Sequence, residues 1–231
     1  ISLNTNIVLR NGNVLNTDGC LSISDIVIDG GIISEIGNNI SGQKEIDLSG
    51  LTVIPGLIDI HLHGIGFHAV IDGALSDIAK IEASFGATCI IPTLFGPTDE
   101  SCSNLIRHRR DTDELRMLPQ IGGFRLESPY LAYTGAGLNS DLAKINKQTT
   151  NALLDAGGGH IRIWDISPEL PGALEAISDI SSKDIVCSIA HTRANIDQAR
   201  GGVDAGAKLV THLFDTFELP LMTDPGVYPV S

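Results

Sequence analysis

Cationic side chains are scarce in this sequence. Fifteen Lys and Arg stand against 28 Asp and Glu, leaving a formal net charge of −13 over 231 residues. The one basic cluster, Arg107, Arg109 and Arg110, is followed at once by Asp111, Asp113 and Glu114. A nucleic-acid or anionic-membrane partner needs a basic face, so both are excluded as expectations. No apolar run reaches the ~18 residues of a membrane span. No signal peptide is evident, although the chain opens at Ile1, so trimming at that end is expected. Paired cysteines are missing too. Cys20, Cys89, Cys102 and Cys187 lie far apart without a CxxC spacing, and read as small hydrophobes in a reducing cytoplasm. There is no like-charge block and no shortage of Ile, Leu and Val, which excludes a disordered tail. With 42% hydrophobic and 19% charged residues, the composition is that of a soluble globular chain long enough to bury a core.

Residues 1–50 alternate short β-like runs with turn signals. Asn11-Gly12 and Asp29-Gly30-Gly31 between apolar runs predict hairpins, and hence a small antiparallel β unit. From residue 51 the rhythm changes. Strands are predicted at Val53–Ile60, Thr88–Ile91, Gln120–Glu127, His160–Ile166, Ile185–His191 and Lys208–Leu213. Helices are predicted between them, at about 73–85, 99–113, 140–156, 170–180 and 195–205. Six β-α units in a row imply a parallel sheet flanked by helices. The expected fold is α/β, a (β/α)8 barrel of TIM type, with a domain boundary between 1–50 and 51–231. A closed barrel needs eight units. About six are present, so the C-terminal part of the barrel is expected to be missing.

The polar residues gather where the strands end. His61 and His63 close strand one, Glu127 strand three, His191 strand five and His212 strand six. In a barrel these ends face one mouth, and residues i and i+2 of a strand point to the same side. Four imidazoles and a carboxylate suit one or two divalent ions, Zn²⁺ or Fe²⁺. A carboxylate such as Glu127 is also able to bridge two ions. His108 and His160 are read as structural or surface residues. His68 lies in a Gly-rich loop, near enough to the mouth to touch substrate, but reads first as structural. Arg125, Arg193 and Tyr130 are candidate substrate contacts near the mouth, although the two arginines serve equally well as partners of structural acids.

The run Ile54-Pro55-Gly56-Leu57-Ile58-Asp59-Ile60-His61-Leu62-His63-Gly64 resembles the opening signature of the amidohydrolase superfamily. More narrowly, the chain resembles the N-acetylglucosamine-6-phosphate deacetylase family. Ile91-Pro92-Thr93, Arg125-Leu126-Glu127-Ser128-Pro129-Tyr130-Leu131, Ser167-Pro168-Glu169, Ala190-His191-Thr192 and Thr211-His212-Leu213-Phe214 carry the likeness in order. The resemblance implies a small β-sandwich beside a metal-dependent barrel. It implies metal ligands at Glu127, His191 and His212, with His61 and His63 holding a second ion where two are bound. It implies hydrolysis of an amide C–N bond of a small N-acyl substrate by a metal-activated water. It also implies a general-base Asp at the end of strand eight, expected beyond Ser231, and a homodimer as one candidate assembly.

The departures bear on substrate. Gly135-Ala136-Gly137 stands where the family has a histidine in the third place. Asp215-Thr216-Phe217 replaces N-A-M, and Thr223-Asp224-Pro225-Gly226 replaces a segment that begins with Arg. Gly135, Ala136, Asp215 and Thr216 are the candidate substrate-binding positions. With two phosphate contacts gone and two acids gained, a phosphorylated sugar is disfavoured and a phosphate-free N-acyl amine expected. Two alternatives stand beside this reading. One is a deaminase or cyclic amidase, whose strand-four bridging Lys is absent from His160–Ile166. The other is a truncated, non-catalytic metal-binding remnant.

Overall fold

The computed structural model describes residues 6–114, 120–134 and 142–213, without side chains for 111–114 and 120. The chain divides at Gly56–Leu57 into two compact units.

The first unit is a five-stranded mixed sheet. Its strands are β1 (Ile7–Leu15), β2 (Leu21–Asp29), β3 (Ile32–Gly37), β4 (Lys44–Asp47) and β5 (Thr52–Val53). The order is β3-β2-β1-β4, with β5 also on β1. Asp29-Gly30-Gly31-Ile32 is a hairpin turn as expected, with both central glycines at positive φ. Asn11-Gly12 is not. The strand runs straight through it, with Arg10 and Asn11 bulged opposite Asp25 of β2 and Gly12 back in register with Ser24. Asn11 takes a left-handed φ of 57°, and Asp25 Oδ1 accepts its N–H at 3.0 Å. A side-chain acceptor across the sheet thus turns a hairpin signal into a bulge. The unit is not purely antiparallel either, because β4 and β5 run parallel to β1. That pairing draws Thr52 and Val53 into this sheet and moves the division past residue 50. Among the described residues it is one sheet, not the two packed sheets of a sandwich.

The second unit is built of β-α repeats. Its elements are β6 (Leu57–Leu62), a hairpin of β7 (Gly64–Ile65) and β8 (His68–Ala69), α1 (Leu75–Ser84), β9 (Ala87–Leu94) and α2 (Thr98–Glu114). There follow β10 (Gln120–Ile121), β11 (Phe124–Leu126), α3 (Lys147–Gly157), β12 (Ile161–Ile166), α4 (Ala173–Ser181), β13 (Val186–Ile189), α5 (Ile196–Asp204) and β14 (Leu209–Val210). β10 and β11 lie along the same neighbour, β9, so they are two halves of one interrupted strand. The break is at Gly122-Gly123. Gly123 has φ 137°, and a Cβ there would meet the His160 carbonyl oxygen at 2.5 Å. Six strand positions then run β6-β9-β10/β11-β12-β13-β14, all parallel and in chain order.

The sheet curls. Five intervals of ~4.8 Å would hold β6 and β14 about 24 Å apart if it were flat. Yet the His61 and His212 rings, at the ends of those outer strands, are 4.8 Å apart. This is the curvature of a partial TIM-type barrel.

Helix boundaries follow local chemistry. α3 begins at residue 147 rather than 140, because Asn146 sits in extended backbone and caps the helix by accepting the Thr149 N–H at 2.8 Å. α5 opens with a capping box between Asn195 and Gln198. The basic cluster is used inside the fold. Arg109 donates to the Asp155 and Ala156 carbonyls at the end of α3, and Arg107 to the Ile71 carbonyl. The core of this unit packs Ile78, Ile90, Leu105, Leu126, Leu153, Trp164, Ile177 and Ile180 between sheet and helices. All four cysteines are free, with Cys187 buried and Cys20 exposed. No helix among the described residues is long and apolar enough to cross a membrane.

Candidate metal centre

Glu127 follows directly on β11, and its side chain is 3% exposed. Each of its oxygens faces a pair of imidazoles. Oε2 is 3.2 Å from His61 Nε2 and 2.6 Å from His63 Nε2. Oε1 is 2.8 Å from His191 Nε2 and 2.9 Å from His212 Nε2. His61 and His63 come from the end of β6, His191 from just after β13 and His212 from just after β14. The structure therefore brings together all five strand-end residues expected from the sequence. They form two three-residue groups, His61–His63–Glu127 and Glu127–His191–His212, with donor atoms within 4.8 Å of one another in each.

The local backbone explains the placement. His61 and His63 are two residues apart, and their Nε2 atoms converge to 3.3 Å. Asp59 Oδ1 accepts the His61 N–H at 2.9 Å, and the buried Thr93 hydroxyl accepts the Leu62 N–H at 3.2 Å. After His63 the chain turns sharply into the β7–β8 hairpin. Only glycine fits at Gly64, where φ is 153° and a Cβ would lie 2.2 Å from the His68 carbonyl oxygen. His191 and His212 both adopt left-handed backbone, with φ 45° and 55°. Non-glycine residues rarely sit there, and strain of this kind clusters at functional sites.

The loop carrying His191 is held from several sides. Ser167 donates from its hydroxyl to the Ala190 and His191 carbonyls at 2.8 and 3.0 Å. Glu169 accepts the Arg193 N–H at 2.6 Å and also the Thr192 hydroxyl. Phe95 flanks His63 and His191, and Tyr133 flanks His191.

Electrostatics favour a charged carboxylate at the centre. Burial by itself raises the Glu127 carboxyl, but hydrogen bonds from His191, His61 and His63 outweigh it. The group is held well below the usual carboxylate range. A buried carboxylate with four converging imidazole nitrogens is a donor set suited to Zn²⁺, Fe²⁺ or a similar divalent ion. The residues present fit such an ion.

The remaining sequence candidates separate. Tyr130 is not a mouth residue. It is fully buried, stacked on Trp164 at 5.6 Å, with its hydroxyl 2.8 Å from Thr150 Oγ1. Arg125 is 2% exposed and paired with Asp165, so it is the partner of a structural acid rather than a substrate contact. Arg193 is exposed, with its guanidinium 5.1 Å over the Tyr133 ring. His68 lies 4.0 Å from Asp77 and outside the cluster. His108 is buried against Phe124, not on the surface. Gly135, Ala136, Asp215 and Thr216 lie outside the described residues, as do Asp224 and the rest of the C-terminal segment. Sequence reasoning missed Phe95, Tyr133, Thr93 and Asp165. Thr93 and Tyr133 sit within or beside quoted motifs, while Asp165 has no local signal at all.

No family model matches the chain. Curated relatives do. N-acetylglucosamine-6-phosphate deacetylase of Lysinibacillus sphaericus is 25% identical over 240 residues, 96% of this chain and 59% of that protein. The same-named protein of Danio rerio is 28% identical over 196 residues, 80% of this chain and 48% of the relative. Among solved structures, N-acetyl-D-glucosamine-6-phosphate deacetylase from Mycobacterium smegmatis matches at TM-score 0.86 and 26% identity. That match covers 96% of this chain and 59% of that one, and the relative was solved with N-acetyl-D-glucosamine-6-phosphate bound. The chain spans about half to three-fifths of the length of these relatives. The likeness read from the motifs thus extends across the fold, and the chain resembles the N-acetylglucosamine-6-phosphate deacetylases among the amidohydrolases.

Proposed function

We propose that this chain carries the metal-binding part of an amidohydrolase that cleaves the C–N bond of an N-acylated substrate, with N-acetylated amino sugars as the favoured class. One observation supports this above the others: each oxygen of the buried Glu127 faces its own pair of imidazoles. A bound divalent ion would supply Lewis-acid polarisation of the acyl carbonyl and a water acidified toward neutral pH. His61, His63, His191, His212 and Glu127 are the residues that would hold it. Phe95 and Tyr133 form aromatic walls beside the histidines, where they would limit bulk water and face an apolar acyl group.

Proton transfer needs a further group. Asp59 and Asp165 are engaged by the His61 N–H and by Arg125, respectively. The general base is assigned, by the resemblance, to an aspartate at the end of an eighth barrel strand, a position that neither Asp215 nor Asp224 matches. A substrate without phosphate is favoured by Gly137 and Thr223, which stand where the family places a histidine and an arginine.

The experiment is acetate release from N-acetylglucosamine and N-acetylglucosamine 6-phosphate by chain loaded with Zn²⁺ or Fe²⁺, with and without chelator. Chelator-sensitive release that prefers the unphosphorylated sugar supports the full reading. Preference for the phosphate ester overturns the substrate assignment. Chelator-insensitive release unchanged in Glu127→Gln overturns the centre itself.

A further inference from the structure

Below the five strand-end residues lies a second polar layer, where barrel interiors are ordinarily filled by branched apolar side chains. Arg125 and Asp165, 2% and 0% exposed, pair through two hydrogen bonds. Arg125 Nε donates to Oδ2 and Nη2 to Oδ1, both at 2.8 Å. Arg125 Nη1 donates to the Ile60 carbonyl at 3.2 Å, and Nη2 also to the Thr211 hydroxyl. Thr211 donates its proton to Asp165 Oδ1 at 2.7 Å. The Ser188 hydroxyl, 2.6 Å away, is then the donor to Thr211.

The residues in this layer are spaced in a pattern. Ile60 immediately precedes His61, and Thr211 immediately precedes His212. Arg125 lies two residues before Glu127 on the same face of its strand, and Ser188 three before His191. The acid comes from β12, which carries none of the five. One guanidinium–carboxylate pair therefore ties together β6, β11, β12 and the start of the loop after β14, with β13 attached through Ser188. A buried ion pair is weak support for stability, because desolvation offsets its attraction. Its best-attested use is to fix one arrangement over its alternatives.

We propose that Arg125 and Asp165, with Thr211 and Ser188, are positioning residues that set the mutual register of the strands delivering His61, Glu127, His191 and His212. The proposal rests on reading that cluster as a metal centre. A one-residue slip of any of these strands would turn its ligand away from the mouth, and the network makes such a slip break several buried hydrogen bonds at once.

The test measures Zn²⁺ affinity by chelator competition and the visible spectrum of the Co²⁺-loaded chain. The variants are the double Arg125→Met with Asp165→Leu, the single Thr211→Val, and the conservative Thr211→Ser. The apolar double variant removes both charges together and should melt close to wild type. It should bind Zn²⁺ about 10- to 100-fold more weakly, the range seen when groups behind metal ligands are removed, and shift the Co²⁺ bands. Thr211→Val should weaken binding in the same direction, and Thr211→Ser should restore it. Folded Thr211→Val with wild-type affinity and spectrum overturns the proposal, whether or not the double variant folds. Wild-type chain that takes up neither ion overturns the metal reading, and this proposal with it.

Discussion

Replacing Glu127 by Gln keeps shape and removes charge, and its effect is predictable even without metal. The carboxamide would present one oxygen and one NH2 where the carboxylate presents two acceptors. One imidazole pair would keep an acceptor and the other would face a donor. In the native chain the carboxylate takes four imidazole contacts of 2.6–3.2 Å. Hydrogen bonds to a charged group contribute about 1.5–3 kcal/mol each, net of desolvation. The variant keeps the pair that faces its oxygen and loses the two bonds on the other side, about 3 kcal/mol at the lower figure. A domain of this size shifts by about 2–4 °C per kcal/mol. Metal-free Glu127→Gln should therefore melt about 6–12 °C below metal-free wild type at pH 7, by calorimetry in excess chelator. The sign with pH follows from the depressed carboxyl. Its stabilisation is fully present above the unfolded carboxylate pKa and is lost only as pH falls through the lower folded value. The gap between variant and wild type should thus persist from pH 7 down to about 5. Equal melting temperatures at pH 7 would refute the picture of a charged carboxylate stabilised by its histidines.

Glu169→Ala frees the Arg193 N–H and the Thr192 hydroxyl. It should loosen the loop behind His191 and weaken Zn²⁺ binding about 10-fold in the same chelator competition. Asp25 is held below its ordinary pKa by the Asn11 and Ile40 N–H groups and by Arg10. Asp25→Asn should destabilise the N-terminal sheet at pH 7, with the difference closing as pH falls through the depressed folded value of the native carboxyl. Hydrogen exchange of β1 and β2 read at both ends of that range checks it. Burial pushes the Cys187 thiol up to about 12, whereas Cys20 is exposed. A thiol reagent at pH 8 should label Cys20 within minutes and leave Cys187 untouched until the chain unfolds.

The gathering of the five candidate ligands was legible because its signal is local and repeated. A histidine or carboxylate at the end of an apolar β run states both its position and its chemistry, and four such strands converge by barrel geometry alone. The β-α alternation was legible for the same reason, since helix caps such as Asn195 and glycine stops punctuate it. What was not legible depends on distant partners. Asn11-Gly12 carries every mark of a hairpin turn, yet Asn11 joins a bulge in which Asp25, fourteen residues on, accepts its N–H. Val53 looked like the start of the first barrel strand, but β1 offers it, with Thr52, a parallel partner. Tyr130 sits in a motif near the mouth and still turns inward, drawn by Trp164 and Thr150. Arg125 reads equally as a substrate contact and as the partner of a structural acid until Asp165, forty residues away, is seen to claim it.

The central claim is that five strand-end side chains form a metal centre, and metal content measures it most directly. Purified chain, reconstituted with Zn²⁺ or Fe²⁺ and desalted, should carry one or two equivalents by elemental mass spectrometry. His191→Ala should lose an equivalent, because it strips the Oε1 side of Glu127 of one of its two imidazoles. Wild-type chain that retains no metal after reconstitution, or His191→Ala that retains as much as wild type, would contradict the account.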